Sequence, residues 1–148
     1  GTEPGRPAGE AGSWVLDQLR RYHFNLSLAE KMLTARKRDT DEARSVPVCS
    51  RSGLAYYLQG EFLRALAEER WNLDAAAARL AGDPALTPRV RQKLRRFLES
   101  VVRTLREGGK TPGRRFISLR KSLPKLPGVY QEDLLRLSRE FEQGRWTG

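Results

Sequence analysis

Thirteen lysines and arginines fall between residues 88 and 125: Arg89, Arg91, Lys93, Arg95, Arg96, Arg103, Arg106, Lys110, Arg114, Arg115, Arg120, Lys121 and Lys125. Only Glu99 and Glu107 oppose them, so this quarter of the chain carries +11 while the remaining residues come to −1. Cationic side chains gathered without carboxylates do one kind of chemistry well. They displace counterions from a polyanion, and their summed field draws a phosphate backbone towards the segment. Within the cluster, residue types divide by what they can recognise. Arg pairs bidentately with guanine and Gln with adenine, which makes Arg89, Gln92 and Arg96 the candidates for reading base edges. Thr87, Arg91, Lys93, Arg95, Arg103, Lys110, Arg114 and Arg115 suit phosphate oxygens, Thr87 with the help of free backbone N–H groups at a helix start.

Those side chains need a rigid carrier, and the apolar pattern supplies one. Val90, Leu94, Phe97, Val101 and Leu105 recur at steps of four and three, which predicts an amphipathic helix over 88–106. Thr87-Pro88 reads as an N-cap with proline in the first turn, and Gly108-Gly109 as the stop. Upstream, Ser13 caps a short helix through Trp14, Val15, Leu16, Leu19 and Tyr22. Asn25 caps the next, through Leu26, Ala29, Met32 and Leu33. A polar loop over 39–52 contains Pro47. Helical period resumes from Gly53 to Arg70, and Asn72 caps an Ala-rich helix over 73–81 that Gly82-Asp83-Pro84 breaks. Residues 110–128 read as a basic loop with a helical turn at 116–122. Tyr130, Leu134, Leu137 and Phe141 mark a last helix. No segment alternates like a strand, so the fold class expected is all-α.

A shift of 47 residues aligns two segments without a gap. Val15-Leu16-x-x-Leu19 meets Phe62-Leu63-x-x-Leu66, Phe24-Asn25-Leu26 meets Trp71-Asn72-Leu73, Ala29 meets Ala76, and Leu33 meets Leu80. Leucines form the buried stripe of a first helix, the aromatic closes a turn, Asn caps a second helix, and a small Ala lets the two approach. An internal duplication follows as the expectation, with two similar modules rather than a solenoid. The expected organisation is a disordered tail over 1–12, a first helix pair and loop over 13–52, a module over 53–107 that carries the basic helix, and a basic loop with a C-terminal helix over 108–148. Where the first copy needs a basic helix it has Glu42-Ala43-Arg44-Ser45-Val46-Pro47, short and ended by proline. Arg36-Lys37-Arg38 remains able to touch phosphate there. A structural or pseudo-dimer role is expected of that copy.

The run Trp71-Asn72-Leu73-Asp74-Ala75-Ala76-Ala77-Ala78-Arg79-Leu80, followed by Thr87-Pro88-Arg89-Val90-Arg91-Gln92-Lys93-Leu94-Arg95-Arg96-Phe97, resembles the helix-turn-helix of the Fis family. Domains of this kind also end bacterial enhancer-binding activators. The resemblance covers about 61–98, with a degenerate second copy at 13–46, and the turn over 82–87 is longer than the family's. It implies that helix 73–81 supports helix 88–106, whose N-terminal part enters the major groove of double-stranded DNA. The function it implies is a bacterial transcription regulator or nucleoid-type factor, cytoplasmic, or nuclear in a eukaryote. A palindromic site would call for a homodimer, or for a pseudo-dimer through the repeat. The rival reading is a helical scaffold module of a larger assembly whose basic segment meets RNA or an acidic protein.

Other chemistries find little support. At 39% hydrophobic and 31% charged, the chain can bury a core but has no apolar run long enough for a membrane span. No segment reads as a secretory leader, and the initial Gly in place of Met is expected of a piece of something longer. One cysteine, Cys49, and one histidine, His23, supply neither an internal disulfide nor a zinc site of nitrogen and sulfur ligands. Glu68-Glu69 lies within a helical pattern without companion ligands. Gly109-Lys110-Thr111 has the end of a phosphate-binding loop, but the glycine that loop needs at 104 is Thr104. Arg114-Arg115, after Pro112-Gly113, reads as a basic loop, or as an arm for a minor groove. No set of residues argues for catalysis, so an enzyme, a metal and a cofactor are all unexpected.

Overall fold

The computed structural model describes residues 8–39 and 45–142. Among the described residues the chain forms seven α-helices and no strand: α1 (Ala8–Arg21), α2 (Leu26–Asp39), α3 (Arg51–Glu68), α4 (Leu73–Ala81), α5 (Thr87–Glu107), α6 (Pro112–Ser122) and α7 (Gln131–Glu142). A 3-10 turn, Gly128–Tyr130, leads into α7. The all-α expectation therefore holds. No helix among the described residues is long and apolar enough to cross a membrane. The chain divides into two compact units after Glu61, inside α3.

In the first unit, helix begins at Ala8, so residues 8–12 are not the tail expected over 1–12, and Ser13 lies inside α1 rather than capping it. Helix therefore extends upstream of the apolar pattern, through Gly9 and Gly12 despite their low propensity. Residues 1–7 lie outside the described residues. Val15, Leu19, Phe24, Ala29, Leu33 and Leu54 are each at most 1% exposed and form the apolar interior of this unit. Two polar ties reinforce it. Arg36 donates to the Gln18 side chain at 3.2 Å, and the Arg51 N–H donates to the Glu30 carboxylate at 2.9 Å. Helix α3 starts at Arg51, two residues before Gly53, because the Ser50 hydroxyl accepts the Gly53 N–H at 3.0 Å and caps it. A Cβ at Gly53 would lie 2.9 Å from both that hydroxyl and the Val48 side chain, so only glycine fits this corner.

In the second unit, Leu63 and Ala67 of α3, Val101 and Leu105 of α5, Leu119 of α6, and Leu134 and Leu137 of α7 share one core, rimmed by Trp71, Phe97 and Phe116. The Phe62 and Phe97 rings meet at 5.6 Å between centroids, tilted by 59°. Polar contacts pin α7. Arg64 pairs with Asp133 at 3.2 Å, donates to the Val129 carbonyl, and lies 4.7 Å above the Tyr130 ring. The Trp71 indole N–H donates to Glu140 at 3.3 Å, and Arg136 holds the same carboxylate at 2.8 Å. Burial outweighs the attraction of Arg64 and raises the Asp133 carboxyl above its ordinary pKa.

The 47-residue repeat recurs bond for bond. Phe24 N–H reaches the Leu19 carbonyl and Trp71 N–H the Leu66 carbonyl. His23 reaches Arg20 and Arg70 reaches Ala67, while Asn25 reaches Tyr22 and Asn72 reaches Glu69. Each first helix thus ends in a Schellman motif, built without glycine. Its two closing residues are left-handed in both copies, with φ of 56° and 58° at His23 and Phe24, and 54° and 69° at Arg70 and Trp71. Such backbone costs about 1 kcal/mol or more per residue outside glycine. Then Asn25 accepts the Leu28 N–H at 3.0 Å and Asn72 the Ala75 N–H at 2.9 Å, which are the caps expected of both. Ala29 and Ala76, Leu33 and Leu80 are buried in register.

Candidate nucleic-acid interface

Helix α4 ends at Ala81 and is capped by Gly82, whose φ of 67° is left-handed and whose N–H bonds the Ala78 carbonyl at 3.1 Å. Asp83 then builds the turn. Its side chain accepts the Ala85 N–H at 2.9 Å, and its carbonyl accepts the Leu86 N–H at 2.9 Å. It also accepts the Thr87 hydroxyl at 3.2 Å. This shifts the helix start by one residue: Leu86 occupies the cap without a side-chain bond, and Thr87 is the first residue of α5. The expected Thr87 N-cap is thereby corrected, since its hydroxyl donates back into the turn. The Thr-Pro signal works at the next helix instead. Thr111 caps α6 by accepting the Arg114 N–H at 3.2 Å, with Pro112 behind it in the first turn.

Helix α5 has two unlike sides. Val90, Leu94, Val101 and Leu105 are at most 2% exposed, whereas Arg89, Gln92, Arg96 and Arg103 all face solvent. The three candidate base readers therefore share one outward stripe, at steps of three and four. The flanking bases differ in what already holds them. Arg91 is ion-paired to Asp74 and ties α5 to α4. Arg95 lies 3.7 Å from Glu99, one turn on. Lys93, Arg96, Arg103 and Arg106 have no carboxylate partner among the described residues.

The segment expected as a basic loop over 110–128 is largely helix α6. The sequence shows a Thr-Pro start there, but Gly109, Pro112 and Gly113 together read as loop. Gly108 and Gly109 make a tight elbow between α5 and α6. A Cβ on Gly108 would come 2.8 Å from Ser118 and 2.9 Å from the Thr104 carbonyl, and Gly109 has φ of +124°. Arg114 and Arg115, adjacent in sequence, part company here. Arg114 is exposed, but Arg115 is 4% exposed. The Arg115 guanidinium donates to the Gly109 carbonyl at 3.2 Å and to the Ser138 carbonyl at 3.5 Å, and lies 5.6 Å from the Phe141 ring centre. Arg115 is thus a structural clasp. Its assignment to phosphate, and the reading of Arg114-Arg115 as an extended arm, are corrected: a buried cation on a helix reaches neither groove nor backbone. The sequence carried no signal to separate the two beyond the helical phase of Leu119, which places 115 inside.

Comparison with protein-family models, curated proteins and solved structures finds no match.

The first copy also differs from expectation. Glu42, Ala43 and Arg44, half of the segment aligned with the basic helix, lie outside the described residues. Val46 is buried, 1% exposed. The next helix is α3 itself, where Leu54 and Leu58 bury at the same four-residue step as Val90 and Leu94. Helix α3 therefore follows α2 as α5 follows α4, and it also opens the second copy. With those leucines in register, Gly53, Tyr56 and Gly60 occupy the places of Arg89, Gln92 and Arg96. Of the exposed bases of α2, Lys37 and Arg38 stand at its C-terminal end and Lys31 near its middle.

Proposed function

We propose that the protein binds double-stranded DNA by laying the N-terminal half of α5 in the major groove, as a transcription regulator or nucleoid-type factor. On this reading it works in the manner of the Fis-type helix-turn-helix that α4 and α5 resemble in sequence. The observation that carries the reading is the outward stripe of α5. Arg89, Gln92 and Arg96 stand on the face opposite the buried Val90 and Leu94, and the side chains at hand are those that recognise guanine and adenine edges. The turn bonded through Asp83 and the Arg91–Asp74 pair hold that helix against α4, so a groove would meet a preorganised face. The first copy, with Gly53, Tyr56 and Gly60 in the corresponding places, is a non-reading partner of the second.

The test is fluorescence anisotropy with random and selected duplexes across a salt series. With about six phosphates engaged, log K falls against log salt with a slope near −5. Gln92→Ala and Arg96→Ala each cost about 1–3 kcal/mol on a selected site and much less on random DNA, whereas Lys93→Ala weakens both alike. No duplex binding at low salt by the folded chain refutes the reading. Tighter binding to single-stranded RNA or to an acidic polypeptide favours the scaffold alternative.

A further inference from the structure

The basic surface does not end with α5. From Gly108 to Gln131 the sequence contains no Asp or Glu, yet it holds six bases, of which all but Arg115 are exposed. Arg114, Arg120 and Lys121 project from the side of α6 opposite the buried Arg115 and Leu119, around Ile117, itself 52% exposed. None of the three has a carboxylate partner among the described residues. On α5, by contrast, Arg91 and Arg95 are already paired. The unpaired charge of α5, at Lys93, Arg96, Arg103 and Arg106, therefore continues through the elbow onto α6.

That surface is also built rather than loose. Arg115 clasps the elbow through the Gly109 carbonyl, the Ser118 hydroxyl donates to the Gly108 carbonyl at 3.3 Å, and Leu119 anchors α6 in the shared core. Helix α5 has 21 residues, about 30 Å at 1.5 Å per residue, while the major groove is about 12 Å wide. A helix that reads bases with its first turns must carry its far end, and α6 with it, outside the groove where only backbone phosphates remain.

We propose that the exposed face of α6, formed by Arg114, Arg120 and Lys121, is a second, sequence-independent phosphate-binding surface that holds the duplex backbone flanking the groove entered by α5. This rests on the DNA-binding reading above. It assigns α6 an anchoring role that the α5 stripe cannot fill.

The test uses the full chain and a random-sequence duplex. Neutralising the face in one variant, Arg114→Gln with Arg120→Gln and Lys121→Gln, removes about three contacts and flattens the salt slope by roughly 2.7. Discrimination between selected and random sites stays unchanged. Ile117→Glu, at an exposed position, weakens binding at low salt and converges on the wild type at high salt as the new charge is screened. A triple variant with the wild-type slope, or an Ile117→Glu variant indifferent to salt, overturns the α6 surface and leaves the α5 reading standing. A wild-type chain that fails to bind duplex DNA overturns both.

Discussion

Arg115→Ala tests the clasp beneath α6. The side chain is 4% exposed, so the two stem methylenes beyond Cβ lose their packing, at about 0.8 kcal/mol each. The bond to the Gly109 carbonyl, 3.2 Å, is charge-assisted and contributes about 1.5–3 kcal/mol. The contact with the Ser138 carbonyl, at 3.5 Å, stands at the geometric limit and adds little. Placing the guanidinium near the Phe141 ring contributes about 0.5–1 kcal/mol. Desolvation of the buried cation opposes all of these by several kcal/mol. The expected net loss is about 2 kcal/mol, read as a lower urea midpoint at unchanged m-value. Arg115→Met keeps most of the packing and removes the desolvation cost, so it should lose no more than about 1 kcal/mol. Both variants should retain the wild-type salt slope for DNA, measured under conditions where they are folded. An Ala variant that loses less than 1 kcal/mol, or whose slope drops by about one as for a lost phosphate contact, would refute the structural role.

Phe24→Ala removes a ring that is 1% exposed in the turn of the first copy, and calorimetry should show a loss of about 3–5 kcal/mol; a loss under 1 kcal/mol contradicts its place in the core. Asp133 is the pH-sensitive position. Its carboxyl is raised above 3.8 because burial outweighs the charge of Arg64, so the folded state binds the proton more tightly than the unfolded one. Its contribution to stability is greatest below 3.8 and declines as pH rises through the raised value. Asp133→Asn should remove that decline from the stability-against-pH curve, and an unchanged curve contradicts the shift.

Periodicity alone determined much of this molecule. The apolar steps of α5 and α7, the Asn25 and Asn72 caps, and the 47-residue repeat are local facts, written in side chains that bond or bury within one or two helical turns. The outward stripe Arg89, Gln92 and Arg96 was equally legible, because a helix with one buried face leaves the other no choice. The same logic was obscured at α6, where Pro112 and Gly113 suggest loop although proline in a first turn favours a helix start. What tertiary structure decided was which charges are free to act. Arg91 is taken by Asp74 on α4, and Arg115 by carbonyls 6 and 23 residues away, and neither partner shows in the local pattern. The role of α3 as the helix after α2 was likewise hidden, since 11 residues separate the end of α2 from its start and alignment at constant shift pointed to 42–47 instead. Charge totals are additive along a chain, but availability of a charge depends on burial and pairing, and those belong to the folded core.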